Sequence, residues 1–417
     1  MAITQLYSLE HDTALGSDNA TLKLDETHFA IAYRSGNAGY GYVETYSVNE
    51  SFEAVLIDSQ YLSCSDSESL SIALLDSTHF IVACAGPSND GFLTIFSFDG
   101  NYDNLTEVEV LEHDTVNGTY NSVVVINSTH IALAYRGNGD YTTIKTFSVD
   151  GSYQLTQIAS LQALATGAGN SLLVLNSTHL LLTCTNTANF YIKTFSFDVN
   201  YENITEIDSE TMNASAGYYS DIVAIDSTHF IVINQEHVYT ISIDGSYAIT
   251  KIDTLDNLVA SYAQARICLL NSTNFAVAYT GADGDGFVKV FSFDGSYEIS
   301  EVAGLEHEEA QCTYSAICAL EVAHIVIVYC GVDDDGFLKI FSTGVSSAVN
   351  ATSNLVVSEA TSEFVGLSNK GSASRTLKVA EATAVFVPFS TTVSNMSNKK
   401  FGRKDRYEPF RISKRVY

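Results

Sequence analysis

Short apolar runs alternate with turns rich in Gly, Asp and Asn along most of the chain. Examples are SVVVIN at 122–127, HIALAYRG at 130–137 and the alternating GFVKVFSFDG at 286–295. Short apolar or alternating runs bounded by such turns are typical of β-strands, and no segment shows a sustained 3.6-residue period. The pattern predicts an all-β fold with almost no helix.

A five-residue marker, DSTHF with its variants, occurs seven times. Its fourth residue falls at positions 28, 79, 130, 179, 229, 274 and 324. Each unit has an apolar run before the marker, a second after it, an alternating third run and a more polar fourth run. Seven units of four antiparallel strands resemble the blades of a seven-bladed β-propeller. The WD and Kelch signatures are absent from these units.

The chain begins with what reads as the end of a unit. MAITQLYSLEHDT at 1–13 is similar to YEISEVAGLEHEE at 297–309, whereas the seventh unit loses the pattern at Gly344, after its third strand at 337–343. We therefore predict that residues 3–10 supply the fourth strand of the last blade and close the ring, because an open ring would expose unpaired strand edges. The propeller is expected to span 1–343.

The turns of each unit predict two faces. The DG of FSFDG favours a two-residue type I′ hairpin, because both central residues need positive φ. The marker turns and these hairpins are expected on one face, with the Asp-rich loops and blade connections on the other. DSTH contains Asp, Ser and His, but neighbours on a turn cannot form a catalytic relay, so an Asx or Ser/Thr turn is favoured.

Candidate cation ligands lie in two loops, GADGDGF at 281–287 and GVDDDGF at 331–337. Their carboxylates are Asp283, Asp285, Asp333, Asp334 and Asp335. These are hard oxygen ligands suited to calcium, but the EF-hand spacing is not met, and hairpin turns favour Asp and Gly for backbone reasons alone. Turn chemistry is the favoured interpretation and a calcium site the alternative; no other cofactor is predicted.

Two further sets of side chains could bind metal. LEHD or LEHE recurs around His11, His113 and His307, which would have to converge on the central channel to share an ion. The seven cysteines show no CxxC spacing. We assign Cys84, Cys184 and Cys330 to one repeat position, at which other units have Tyr. We interpret them as small core side chains rather than ligands or a disulfide framework.

The charge balance excludes some partners. The formal charge of −29 argues against nucleic-acid binding. The chain has no apolar run of about 18 residues and no basic-then-apolar N-terminus, so neither membrane insertion nor a signal peptide is predicted.

Composition changes at Gly344, where a Ser/Thr-rich, β-rich extension is predicted over 344–398. Its segment EFVGLSNKGSASRTLKVAEATAVF at 363–386 resembles a module of phage tail-fibre and other virion proteins, through FVGL at 364–367, Gly371, Ser372 and a strand at 376–380. The resemblance implies a virion component.

A basic tail over 399–417 ends the chain. Its cations are Lys399, Lys400, Arg403, Lys404, Arg406, Arg411, Lys414 and Arg415. A solvated tail is one interpretation. The other is a strand that orders against an acidic neighbouring subunit, which would give head-to-tail self-assembly.

No GxSxG, HExxH, P-loop or dinucleotide motif occurs. We therefore predict a non-enzymatic structural or binding protein, a self-assembling virion fibre, decoration or tail component that contacts its own copies, other virion proteins or host-surface glycans. One alternative is a secreted or cell-surface lectin or adhesin, with or without calcium. Another is a glycosidase or lyase acting in the channel, which would need carboxylates at the innermost strand ends, where apolar or small residues predominate.

Overall fold

The computed structural model describes residues 2–36, 39–64, 68–213, 219–256 and 264–346. These residues belong to one compact unit that extends to Val349. They form seven four-stranded antiparallel sheets, and their helical structure consists of three 3-10 turns, Pro87–Asn89, Asn138–Asp140 and Val332–Asp334. The predicted all-β seven-bladed propeller is confirmed. Apart from 344–346, the predicted extension and the basic tail lie outside the described residues.

The strands follow the repeat. The chain opens with β1 (Thr4–Asp12). Blade 1 is β2 (Ser17–Lys23), β3 (His28–Ser35), β4 (Tyr40–Val48) and β5 (Ala54–Leu62). Blade 2 is β6 (Glu68–Asp76), β7 (His79–Ala85), β8 (Gly91–Ser97) and β9 (Thr106–Asp114). Blade 3 is β10 (Thr119–Asn127), β11 (His130–Arg136), β12 (Thr142–Val149) and β13 (Leu155–Leu164). Blade 4 is β14 (Ala168–Asn176), β15 (His179–Thr185), β16 (Phe190–Ser196) and β17 (Thr205–Asn213).

The remaining blades continue the same order. Blade 5 is β18 (Ser220–Ala224), β19 (His229–Asn234), β20 (His237–Ile243) and β21 (Ile249–Asp256). Blade 6 is β22 (Ala265–Asn271), β23 (Asn274–Thr280), β24 (Gly286–Phe293) and β25 (Ile299–Glu308). Blade 7 is β26 (Thr313–Glu321), β27 (His324–Cys330) and β28 (Gly336–Ser342), completed by β1.

The N-terminal strand closes the ring as predicted. β1 runs antiparallel to β28, with Thr4 opposite Ser342 and Asp12 opposite Gly336. Strand pairing therefore joins the two ends of the described chain, and β28 has no open edge.

The core lies between blades rather than within them. Each of seven apolar clusters combines residues of two neighbouring sheets; in one, Phe29 and Tyr33 of blade 1 meet Val328 and Ile340 of blade 7. Because both faces of a blade are covered, the second strands are apolar at almost every position, as in HFIVACA of β7.

The marker turns hold adjacent blades together. In blade 2 the Thr78 N–H and hydroxyl both donate to Asp76, at 2.8 and 2.9 Å, and His79 Nδ1 lies 3.1 Å from the same carboxylate. The His79 ring stacks on Tyr153 of blade 3 at 3.5 Å, and the Tyr153 hydroxyl donates to Asp76 at 2.8 Å. The structural interpretation of DSTH is thereby supported, and the marker turn and hairpin share a face.

The hairpins differ from the predicted type I′ form. In blade 2 the Tyr102 N–H donates to the Asp99 carbonyl and the Asp99 N–H to the Asp103 carbonyl, which gives a three-residue loop. The positive φ, 62°, belongs to Tyr102 and not to Gly100. A left-handed non-glycine residue costs about 1–2 kcal/mol. Stacking of Tyr102 on His28 at 4.2 Å offsets that cost.

The Asp-rich loops meet the blade connections on the opposite face. The Gly16 N–H donates to the Asp334 carbonyl at 2.8 Å, and the Cys312 N–H donates to the Gly284 carbonyl at 2.7 Å. Each loop thus caps the segment that leads into the next blade.

The cysteine interpretation needs two corrections. Cys84 forms a disulfide with Cys64, which links blade 2 to the segment that follows β5 of blade 1. The residue equivalent to Tyr33 in blade 7 is Tyr329, not Cys330, because Tyr33 pairs with Tyr42 as Tyr329 pairs with Phe337. Sequence spacing did not indicate the disulfide, because its two cysteines come from different units.

Candidate active site at the channel mouth

Residues at the beginnings of the innermost strands surround one end of the central channel. Five of them are left-handed, with φ of 53–56°: Asp18, Ser69, Tyr120, Gly169 and Tyr314. Each lies at a register shift in the strand pairing, the mark of a β-bulge, which redirects side chains. Together with Tyr219 and Gln264 of blades 5 and 6 they line a cavity of about 260 Å³. We call this cavity the channel mouth.

The channel mouth continues into a second cavity of about 180 Å³, with Asn121, Asn170 and Arg266 among the residues that line both. Both volumes lie below the roughly 300–1,000 Å³ typical of sites for drug-sized ligands. The lining is mostly polar, so the space suits a small hydrophilic molecule.

A layer of asparagines fixes the blades around this space. Asn19 Nδ2 donates to the Tyr314 carbonyl at 3.1 Å and Asn121 Nδ2 to the Ser69 carbonyl at 3.2 Å. Asn170 Nδ2 donates to the Tyr120 carbonyl at 3.1 Å. Each amide reaches back to the bulged residue of the preceding blade, which holds the mouth residues in place.

Asp221 breaks the pattern of the next layer. In blades 2 and 3 the equivalent residues are Ser71 and Ser122, whose hydroxyls accept the Val123 and Leu172 N–H groups of the following blade at 3.0 and 2.9 Å. Asp221 does the same for Ile267 at 3.1 Å. Since serine makes this contact in blades 2 and 3, holding neighbouring blades together does not require a carboxylate at position 221.

The environment of Asp221 changes its acidity. The side chain is partly accessible from the channel but lies deep in the ring. Burial raises its pKa above the ordinary value, although Arg266 and hydrogen bonds from Ile267, Ile222 and Ser171 act in the opposite direction. A channel carboxylate with a raised pKa and a cationic neighbour is suited to proton transfer.

Aromatic rings and guanidinium groups line the rim. The Tyr120 and Tyr219 rings are 6.4 Å apart, on either side of Gly169 in sequence order around the ring. Arg266 lies over Tyr219 at 5.7 Å and Arg136 over Tyr120 at 6.0 Å. These contacts hold both tyrosines in defined positions.

The predicted cation ligands are not brought together. Asp333 and Asp334 are exposed in the turn Val332–Asp334 with φ of 60° and 66°, and Gln311 donates to Asp334 at 3.0 Å. Asp285 offers its carbonyl to Gly281 at 2.7 Å, while Asp283 is exposed in the same loop and Asp335 accepts from Gly331 through its carbonyl. Within the described ranges no group of three or more His, Cys, Asp or Glu side chains could hold a metal ion. Calcium binding stays a prediction.

The LEHD histidines lie between blades and not in the channel. His11, His113 and His307 contact Tyr33, Tyr135 and Tyr329 of the next blade edge-on, at 4.6, 4.7 and 5.2 Å. The predicted assembly residues from Lys399 to Arg415 lie outside the described residues, so tail-driven self-assembly also stays a prediction.

Sequence reasoning missed the mouth residues. They occupy the column ten positions before the fourth marker residue, which reads Asp, Ser, Tyr, Gly, Tyr, Gln and Tyr from blade 1 to blade 7. The marker turn keeps nearly the same residues from unit to unit, whereas this column varies. That variation was the available signal, and the column includes one carboxylate, Asp18, among positions that were expected to be mostly apolar or small.

Comparison with known proteins supports the architecture. No protein-family model matches the chain, and no curated protein sequence is significantly similar. Among solved structures, a periplasmic gluconolactonase of Pseudomonas aeruginosa is 14% identical with a TM-score of 0.54, over 68% of this chain and 84% of that one. A Bacteroides fragilis protein assigned as a 6-phosphogluconolactonase is 13% identical with a TM-score of 0.54, over 76% and 95%. A Lactobacillus plantarum protein is 13% identical with a TM-score of 0.56, over 76% and 90%.

These neighbours establish the fold and contradict two of our predictions, the non-enzymatic role and the virion fibre, decoration or tail component. The prediction of a non-enzymatic role was based on the absence of a catalytic sequence motif. A site in the channel of a propeller takes single residues from several blades, so it does not produce a continuous motif. The prediction of a virion component depended on 363–386 and the tail, outside the described residues, and no comparison supports a phage relationship or a virion location.

None of the helical segments in the described residues has the length and apolar character of a membrane span.

Proposed function

We propose that this chain is a hydrolase of small lactones derived from polyhydroxy acids, with its active site where the channel mouth continues into the second cavity. The observation that carries the proposal is Asp221, a carboxylate in the channel at a position where blades 2, 3 and 4 have serine. The polar lining and the likeness to propellers named as gluconolactonases support the substrate class.

The chemistry needs a base and a partner for developing negative charge. Asp221 would take a proton from water as its oxygen attacks the lactone carbonyl carbon. Arg266 would stabilise the resulting oxyanion. The ring C–O bond then breaks, and the proton held by Asp221 passes to the ring oxygen, giving the open hydroxy acid and restoring the carboxylate. Because Asp221 must be ionised, activity is expected to fall as pH drops through its raised pKa.

An oxidising, extracytoplasmic compartment is part of the proposal. The Cys64–Cys84 disulfide supports it, because disulfides persist mainly outside the cytosol. One neighbour named as a lactonase is periplasmic.

The test is hydrolysis of D-glucono-1,5-lactone, followed at constant pH by titrating the released acid above the spontaneous rate. Asp221→Ser places at this position the residue that Ser71 and Ser122 provide in other blades, so the fold is expected to tolerate it. We expect kcat/KM to fall by about 10²–10⁴ with the melting temperature unchanged.

The matched control is Ser122→Ala, which removes an equivalent blade-bridging hydroxyl without touching a carboxylate. Its activity should stay near that of the unmodified protein. Lack of hydrolysis by the unmodified protein on a panel of sugar lactones, or full activity of Asp221→Ser, would overturn the proposal.

A further inference from the structure

Blade 1 departs from the other blades along its outermost strand, β5. Leu56 of β5 lies opposite Tyr46 of β4 and is 49% exposed. In the corresponding pairs of blades 2 to 7 the outer residue is, in order, Glu107, Gln157, Glu206, Lys251, Glu301 and Gln5. Leu56 is therefore the apolar member of a column that is otherwise charged or amide.

Two further positions of β5 depart in the same way. Tyr61, opposite Tyr42, is 55% exposed, and Val55 is 49% exposed. The equivalents of Tyr61 in blades 2 to 7 are Glu112, Gln162, Thr211, Asp256, Glu306 and Glu10. Those of Val55 are Thr106, Thr156, Thr205, Thr250, Ser300 and Thr4. Because six blades keep these positions polar, the ring does not require apolar residues there, and exposed apolar patches mark interaction sites.

β5 also lacks the protection of the other outermost strands. An edge strand offers unpaired N–H and C=O groups, and proteins guard such edges with charged side chains and bulges. All seven outermost strands share one register shift; β1, β9, β13, β17 and β25 have a second near their end, and β21 has the exposed charges of Lys251 and Asp256. β5 has neither device, because its Asp58 is half-buried and accepts the Leu105 N–H at 2.7 Å. No described strand pairs with the outer edge of β5.

The exposed rings beside this edge are held in fixed positions. The Tyr61 ring lies 4.5 Å from the Tyr42 ring and 6.1 Å from the Tyr40 ring, and Tyr40 is itself about half exposed. Tyr42 and Tyr46 pack in the cluster between blades 7 and 1. Their cross-strand partners Tyr61 and Leu56 therefore share one face of blade 1. Since these rings are already ordered, covering them costs a partner less conformational entropy.

Acidic residues flank the apolar edge. The neighbouring outermost strands are β1 of blade 7, which carries Glu10, and β9 of blade 2, which carries Glu107, Glu109 and Glu112. Glu107 reaches the segment just after β5, where it accepts the Ser63 hydroxyl at 2.7 Å. The whole chain has a formal charge of −29. Acidic partners would be repelled, whereas apolar residues flanked by Lys or Arg complement this surface.

We propose that β5 binds an extended segment of another protein, which adds to blade 1 as a fifth strand. The unpaired backbone groups of β5 supply the hydrogen bonds, and the exposed Leu56 and Tyr61 supply the apolar contacts. Their partners Tyr46 and Tyr42 are four residues apart on β4. A regular added strand therefore meets them with two apolar side chains four residues apart, about 13 Å, and carries Lys or Arg at its ends. This inference does not depend on the proposed lactonase activity.

The test is a selection from random nine-residue peptides displayed on yeast, made in parallel on the unmodified full-length protein and on a triple variant. The variant, Val55→Thr with Leu56→Glu and Tyr61→Glu, gives β5 the residues that blade 2 has at these positions, so the fold is expected to tolerate it. Peptides enriched on the unmodified protein should have two apolar residues four apart and a net positive charge. The strongest of them, made synthetically, should bind the triple variant at least about 10-fold more weakly in fluorescence anisotropy, because the apolar contacts are lost.

The matched control changes two of the same columns in blade 6, Ser300→Thr with Glu306→Gln, and should leave peptide binding unchanged. Thermal unfolding verifies that the variants fold. Should the triple variant not fold, Leu56→Gln, which copies blade 3, replaces it. Hydrogen exchange measures the binding mode: the peptide should slow amide exchange in β5 and leave the other outermost strands unchanged.

Three results would overturn the proposal: no peptide enriched over the triple variant, equal binding to both proteins, or unchanged amide exchange in β5. A dimer of the unmodified protein that the triple variant does not form would also overturn it, by showing that a second copy occupies the edge. Binding of a neutral oligosaccharide that depends on Tyr61, without any enriched peptide, would do the same by assigning the exposed rings to a glycan.

Discussion

His113 illustrates how a single side chain is tied to its surroundings. The residue is 7% exposed, and both ring nitrogens are buried without a hydrogen-bond partner among the described residues. Burial, reinforced by Lys145 and opposed by Asp114, lowers its pKa to about 3. His307 and His11 are buried in the same way, with pKa values lowered to about 3 and about 4. All three are neutral spacers between blades.

These histidines predict acid sensitivity. Their pKa values in the folded state lie below the unfolded value of 6.5, so their contribution to stability is complete above pH 6.5 and is lost as pH falls toward 3. In His113→Phe, which cannot titrate, the decline in unfolding free energy between pH 6 and 4.5 should be shallower by about 1.4 kcal/mol per pH unit. Urea denaturation at several pH values measures it; an unchanged slope would show that His113 is not neutral by burial.

A second residue-scale prediction concerns Gly91. A Cβ there would lie 2.3 Å from His113 Cε1 and 3.0 Å from the Gly118 backbone, so Gly91→Ala should destabilise the protein by about 1–3 kcal/mol through overpacking. Gly100→Ala is the control, because a Cβ at Gly100 meets nothing within 4 Å. Thermal unfolding of both variants measures the difference in stability, and equal stability of the two would contradict the packing argument.

At the scale of elements, the marker turns and the hairpins form pairs. Six histidines stack on aromatic residues of the next hairpin, with ring centroids 3.5–4.2 Å apart. The remaining marker, in blade 6, carries Asn274. Its partner would be the hairpin between the third and fourth strands of blade 7. In that blade the fourth strand is β1, so no hairpin connects it to β28. The one departure from His therefore follows from ring closure.

Removing a tyrosine hydroxyl tests this pairing. The pKa of Asp76 is lowered to about 2, because hydrogen bonds from Thr78, Tyr153 and His79 together outweigh the effect of burial, which raises it. Tyr153→Phe should raise the pKa of Asp76 toward 3.8 and cost about 1 kcal/mol. NMR titration of the carboxyl group measures the shift.

The control for that titration is Tyr201→Phe. The Tyr201 hydroxyl accepts a hydrogen bond from the neutral Asn127, so the variant should lower stability without changing the pKa of any carboxyl group in the marker turns. A shift of Asp76 in this control, or none in Tyr153→Phe, would contradict the assignment.

For the whole molecule, closure by β1 is the contact that joins the two ends of the ring. Tyr7 and Leu9 of β1 pack against the core between blades 7 and 1, and the Tyr33 ring of blade 1 packs against His11. Deletion of residues 2–12 would remove these contacts and expose the edge of β28.

We expect this deletion to lower Tm by about 10 °C or more, since each kcal/mol lost shifts Tm by about 2–4 °C in domains of 150–250 residues, and to cause self-association through the free edge. Thermal unfolding and light scattering measure both effects. A synthetic peptide of residues 2–13 should restore the monomer, whereas a scrambled peptide should not. A stable, monomeric deletion variant would mean that β1 does not maintain the ring.

The sequence by itself determined the number of blades, the four strands of each and the closing strand at residues 3–10. These follow from local patterns: strand alternation is a property of neighbouring residues, and the fifty-residue repeat copies it seven times. Only the tertiary structure decided that Asp221 and Arg266 line one cavity and that Cys64 meets Cys84. Those residues come from different blades, and their proximity depends on the curvature of the whole ring and on bulges that no single unit encodes.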